Sequence, residues 1–232
     1  MLQLNNNQVL PIKEFYGRNT EQMPILIKEG RIPASLSFIF QKRLEVLTQD
    51  VPEEIKEAYL DNYFDTDTTF LYHPEGNIKI VQSPGFVRSM NSESELKNGA
   101  LVVGSSLDEG ISIYNSFDVP EFTRDELKKY ANNRKSISEA KSCPILAQLV
   151  PDQDLRNESI DAIFSEGKRR HDVDNMVGIY VGSPVDGVVG ARLAFPNNVY
   201  NFSSVIGNDI IGNYGGRLLG VVPEALGLAS DS

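Results

Sequence analysis

The stretch that most constrains the fold is the last one. Residues 171–232 carry ten of the chain's eighteen glycines, and no lysine follows Lys168. A charge-poor, glycine-rich segment with many β-branched residues suits a buried sheet or a subunit interface. Ordinary core composition favours the sheet. Residues 176–181, 188–195 and 199–205 read as its strands.

Upstream the pattern changes. Pro33 suits the first turn of a helix, where its missing N–H is not needed. Leu36, Phe40, Leu44 and Leu47 follow at helical spacing, with Ile39 beside them and Gln41, Lys42 and Arg43 on the other face. A second helix starts at Asp50, with Pro52 just inside and Glu53 at capping-box spacing. Ile55, Tyr59 and Tyr63 form its buried side. From Thr68 the reading is β-like. Residues 70–72 and 78–81 flank the turn formers His73 to Asn77 as a hairpin. Residues 99–104 and 111–114 read as two more strands. Helix returns at Thr123, whose capping box closes on Glu126. A further helix covers 154–165, stopped by Gly167, although Ser159 interrupts its apolar stripe.

A weak echo links Val103-Gly104-Ser105-Ser106-Leu107-Asp108 to Val181-Gly182-Ser183-Pro184-Val185-Asp186. Both copies read as strand–turn–strand, and a duplicated module would extend beyond six residues.

The chain has 232 residues, of which 41% are hydrophobic. That suffices for a core without disulfides or metals. The lone Cys143 forms no intrachain disulfide, and a lone cysteine is ordinarily a small buried apolar residue. With no secretory leader at Met1, this predicts a reducing, cytoplasmic setting. No run approaches the apolar length of a membrane span. The net charge of −10 repels nucleic-acid phosphates over most of the surface. The densest basic stretch, Lys128, Lys129, Arg134, Lys135 and Lys141, has only Tyr130 as a stacking partner and reads as a solvated helix face.

Familiar catalytic signatures fail at particular residues. Asp65-Thr66-Asp67 opens like a calcium loop, but Phe70 and Gly76 stand where glycine and glutamate are required. Asp61, Asp65 and Asp67 then read as a solvated helix end and turn. The glycines from Gly207 to Gly216 lack both the Gly-Lys-Ser/Thr ending and the Gly-x-Gly-x-x-Gly spacing of phosphate loops, and fit tight turns. No Gly-x-Ser-x-Gly elbow occurs.

One dense polar cluster remains, from Lys168 to Asn175. His171, Asp172 and Asp174 have the donor types of a divalent-cation site. Arg169 and Arg170 beside them could hold phosphate oxygens. Together they suit metal-assisted phosphoester hydrolysis. The structural alternative is a basic helix C-terminus followed by a turn.

The sequence therefore predicts an α+β chain: N-terminal helices, central antiparallel strands, a helical middle and a glycine-rich C-terminal sheet. It reads as one globular domain over 1–232, with a soft boundary near 120–150. The leading function is a non-enzymatic binding or assembly protein that self-associates through the C-terminal third. The alternative is a metal-dependent phosphoester hydrolase centred on Arg169 to Asp174, with a divalent cation as cofactor.

Overall fold

The computed structural model describes residues 11–172, 176–199, 205–207, 211–212 and 214–223. In chain order the elements are β1 (Ile12–Tyr16), α1 (Asn19–Lys28), β2 (Ile32–Pro33), α2 (Leu36–Thr48), α3 (Glu53–Leu60), β3 (Thr69–Tyr72) and β4 (Ile78–Val81). Then follow α4 (Gly85–Arg88), β5 (Leu96–Lys97), β6 (Ala100–Val103), α5 (Leu107–Ser116), β7 (Glu121–Phe122), α6 (Arg124–Tyr130) and β8 (Asn133–Lys135). The remainder is α7 (Ile137–Lys141), α8 (Pro144–Leu149), α9 (Gln153–His171), β9 (Met176–Val181), β10 (Val189–Leu193), β11 (Phe195–Pro196), β12 (Val205–Gly207) and β13 (Arg217–Val221). Antiparallel pairing dominates, so the fold is α+β.

The described strands form three sheets. The six-stranded sheet runs β5-β6-β10-β3-β4-β7 and is antiparallel throughout. The predicted hairpin is there, with Phe70 opposite Ile80 and Tyr72 opposite Ile78. A four-stranded sheet, β11-β12-β9-β8, contains the parallel pair β12–β9. The third sheet, β1-β13-β2, joins the two ends of the described chain. In it Ile12 faces Val221 and Tyr16 faces Arg217. The glycine-rich third does form buried sheet: every residue of β10 is buried, as are Leu218 to Val221 of β13. Of the predicted strand 199–205, residues 200–204 lie outside the described residues.

Several local expectations are overturned. Residues 111–114 are helical, within α5. Ser106 caps that helix by accepting from the Glu109 N–H. The alternating Ile-Ser-Ile-Tyr imitates a strand, but Tyr114 is buried one turn after Gly110. A Cβ on Gly110 would stand 2.5 Å from the Val103 carbonyl oxygen, so glycine lets the helix lie against β6. The echo consequently diverges: the first copy leads into a helix, the second into a turn before β10. Pro33 is in β2, and Ser35 is the cap of α2, accepting from Phe38. The α3 helix begins at Glu53 behind Pro52 with no side-chain cap, so Asp50 takes no part. Helix α9 runs through Gly167 to His171, and Asp172 ends it in the left-handed conformation. Lys135, assigned to a solvated face, is buried with its ammonium on the Asn133 side chain.

The break in the α9 stripe has a packing reason. Ser159 is fully buried where α9 crosses α2, and its hydroxyl lies 3.5 Å from the Phe40 carbonyl. A small side chain there lets the two helices approach. Around the crossing, Leu36, Phe40, Ile160, Ile163 and Phe164 join one core with Phe70 and Tyr72. Cys143 is buried in the same core, as a lone apolar cysteine should be.

Arg43 is the largest departure from the helical-face reading. It is fully buried rather than solvated. Its Nε donates to the Tyr59 carbonyl and its Nη2 to the Asn62 carbonyl, each at 3.0 Å, with the Pro196 carbonyl at 3.4 Å. A charged fork facing carbonyls is a satisfied burial. It ties α2 to the segment after α3 and to β11.

Candidate functional site

The polar cluster at the end of α9 is closed on itself. Arg169 grips Glu166 through Nε and Nη2 at 2.8 and 2.7 Å. Arg170 also donates to Glu166, and reaches Asp61 at 2.9 Å. The Arg169 hydrogen bond, seconded by Arg170, holds the Glu166 carboxyl below the usual glutamate range. Lys168 pairs with Asp172 one turn on, at 2.8 Å. That ion pair holds the exposed Asp172 carboxyl low. His171 is partly buried at the helix end, and Asp174 lies outside the described residues. Among the described residues no group of three His, Cys, Asp or Glu side chains is placed to hold a metal ion. The arrangement seen is a charge-matched clamp between the ends of α9 and α3.

Asp65 and Asp67 are not a solvated turn. Each is only 1% exposed. Ser83 donates to the Asp67 carboxylate and Arg88 reaches it at 3.4 Å, yet burial outweighs both and raises its pKa. Asp65 accepts from the Arg217 backbone N–H at 2.7 Å and from Asn19 Nδ2 at 3.1 Å. It fastens β13 to the start of α1.

Above Asp65 lies a different constellation. Tyr16, Tyr63 and Tyr214 are 60%, 40% and 73% exposed. They come from three separate segments: the end of β1, the stretch after α3 and the loop before β13. Arginines brace them. The Arg18 guanidinium stands 3.9 Å from the Tyr214 ring centre. Arg217 stands 5.0 Å from that of Tyr16 and binds Glu14 at 2.8 and 3.0 Å. Tyr16 donates its hydroxyl to Glu14, and burial together with that bond raises its pKa, so it remains a phenol. Tyr63 donates to the Gly215 carbonyl at 2.6 Å and sets its ring edge-on to Phe195.

Local sequence makes this convergence possible. The Gly17 N–H donates to the Gly216 carbonyl at 3.0 Å. A Cβ on Gly216 would lie 2.4 Å from the Gly17 carbonyl oxygen, so only glycine permits the crossing. Beside the tyrosines, a groove of about 280 Å³ opens between β1 and α3. Ile12, Ile55, Ala58, Tyr59, Phe64 and Leu219 line it, and Glu14 and Glu54 stand at its rim. Ile55 is 44% exposed there. Thus two of the three residues predicted for the buried side of α3, Ile55 and Tyr63, form an outer surface instead. Tyr63 lies past the helix end at Leu60, where helical spacing no longer applies. Elsewhere, a wider hollow of about 720 Å³ between α7 and α9 is rimmed by the balanced pair Lys141–Asp161.

No protein-family model matches the sequence, and no curated protein matches it. A solved structure does resemble it, with a TM-score of 0.66 at 19% identity over 94% of this chain and 100% of that one. It is described as "Accommodation of massive sequence variation in Nanoarchaeota by the C-type lectin fold". The present chain has a C-type lectin fold. Within this C-type lectin fold the tyrosine face is carried by the sheet that joins the two ends of the described chain. No described helix is long and apolar enough to cross a membrane.

Tyr16, Arg18 and Tyr214 belong to none of the sites predicted from sequence. The available signal was a tyrosine among turn-forming glycines in a charge-poor segment, where an aromatic ring has no helix or strand stripe to join.

Proposed function

We propose that this is a non-enzymatic binding protein that grips a protein partner with Tyr16, Tyr63, Tyr214 and Arg18. The observation that carries the reading is the convergence of three exposed tyrosines, from three chain segments, on one arginine-braced face. Tyrosine and arginine dominate binding hot spots. Rings with few rotatable bonds give contact area at small entropic cost. Here the cation–π contacts and the Tyr63 hydrogen bond already hold the rings in place. The similar Nanoarchaeota structure is described in terms of massive sequence variation on this fold. A face built from loops over a rigid sheet fits such use, since its side chains can change while the backbone stays.

The phosphoesterase alternative draws no support from the α9 terminus, where Arg169, Arg170 and Asp172 are turned to their own ion pairs. Self-association remains within the proposal, with the C-terminal third contributing Phe195, Tyr214 and Arg217 to this face.

The test is photo-cross-linking from position 214 in host lysate, followed by calorimetry with the purified partner. Tyr214→Ala and Arg18→Ala should each weaken binding about 10- to 100-fold. Affinities within twofold of wild type would exclude the face.

A further inference from the structure

Among the described residues the tyrosine face borders an open strand edge. Among the described residues β1 has β13 as its one neighbouring strand. The Pro11 carbonyl accepts from the Val222 N–H, and the Gly17 N–H donates to the Gly216 carbonyl, both at 3.0 Å. In an antiparallel ladder inward-facing and outward-facing groups alternate. Lys13 and Phe15 therefore turn their backbone groups toward β13, and Ile12, Glu14 and Tyr16 turn theirs to the opposite edge. The side chains alternate as well. Phe15 is buried on the α1 side, where Lys13 meets Glu29 at 2.6 Å. Ile12 and Glu14 line the groove on the α3 side. Outward-facing N–H and C=O groups thus run beside an apolar groove with acidic residues at its rim.

We infer, resting on the binding role proposed above, that the partner supplies an extended segment that adds to β1. Its backbone pairs with Ile12, Glu14 and Tyr16. One apolar side chain enters the groove between Ile12 and Ile55, and a lysine or arginine two positions away meets Glu54. Strand addition suits this geometry: main-chain bonds supply affinity, and pockets for alternate side chains supply selectivity. The charge also matches, because Glu54 is exposed and the whole chain carries −10. Lys13 and Glu14 on the edge disfavour indiscriminate pairing with apolar strands.

The test is selection of a random nonapeptide phage library on the whole protein, with fluorescence anisotropy of the best peptide. Enriched peptides should carry an apolar residue with lysine or arginine two positions away. Glu14→Pro removes an outward N–H that β13 does not use, whereas Glu14→Ala removes the same side chain and keeps it. The proline variant should bind about 10-fold more weakly than the alanine variant. If circular dichroism shows Glu14→Pro unfolded, N-methylation along the peptide backbone gives the same readout, with loss at alternate positions. Equal affinity for both variants, indifference to N-methylation, or selection without the apolar–basic pattern would overturn the inference. Loss on Tyr214→Ala with no proline effect keeps the face and removes the edge. A proline effect without a Tyr214→Ala loss does the reverse.

Discussion

Arg43→Met exchanges a fully buried cation for an apolar side chain of similar length. The native guanidinium donates to the Tyr59 and Asn62 carbonyls at 3.0 Å and approaches that of Pro196 at 3.4 Å. A hydrogen bond from a charged donor contributes about 1.5–3 kcal/mol, so these three together give roughly 6 kcal/mol. Against this stands desolvation, which pulls the Arg43 pKa down to about 10 and leaves it charged at neutral pH. That displacement corresponds to roughly 3 kcal/mol at about 1.4 kcal/mol per unit. The net expectation is a loss of about 3 kcal/mol. For a chain of this size the melting temperature should fall by roughly 6–12 °C. The assay is thermal and urea unfolding followed by circular dichroism. Arg43→Lys should fall between wild type and the methionine variant, since an ammonium can reach some of the carbonyls. Because Asn62 precedes Tyr63, the methionine variant should also bind the partner more weakly. An unchanged or raised melting temperature would refute the reasoning, because it would mean the carbonyls lose nothing when the cation goes.

Other substitutions probe the same framework. Ser159→Leu puts extra carbons into the α2–α9 crossing and should cost about 1–3 kcal/mol in urea denaturation. Gly207→Ala places a Cβ 2.3 Å from Phe70 Cδ2 and should lower the melting temperature measurably in the same assay. Asp67→Asn should raise the melting temperature at pH 7, since burial raises the pKa of the native carboxyl. The sign follows from linkage: a pKa raised on folding stabilises at low pH, and that contribution is lost as pH rises through the folded value. The gain should therefore vanish in melts run below the ordinary carboxylate range, and a gain independent of pH would contradict it.

The hairpin of β3 and β4, the Thr123 capping box and the buried C-terminal strands were legible because local patterns decide them. Thr123 and Glu126 satisfy each other within one turn. Arg43 was misread because periodicity counts polarity, whereas the carbonyls of Tyr59, Asn62 and Pro196 that it meets come from distant segments. Residues 111–114 were misread because Gly110 must be small for β6, a tertiary demand invisible in the apolar alternation. The tyrosine face was the least legible, since its members lie at 16, 63 and 214 and meet only through the sheet that closes the fold. The Arg169–Arg170 cluster showed the opposite effect. Its density along the chain was plain, but its partners Glu166 and Asp61 neutralise it in space.

That closing sheet also sets an order of events during synthesis. β13 lies between β1 and β2, and Glu14 meets Arg217 from 203 positions away. On the ribosome, both early strands must wait with open edges until nearly the whole described chain has emerged. Contacts of such long sequence separation form slowly, and waiting edges invite wrong pairing. The tyrosine face therefore comes into being last. A nascent chain stalled before β13 presents Tyr16 and Tyr63 without the strand that holds them together, so the last described strand acts as the checkpoint between a synthesised chain and an assembled tyrosine face.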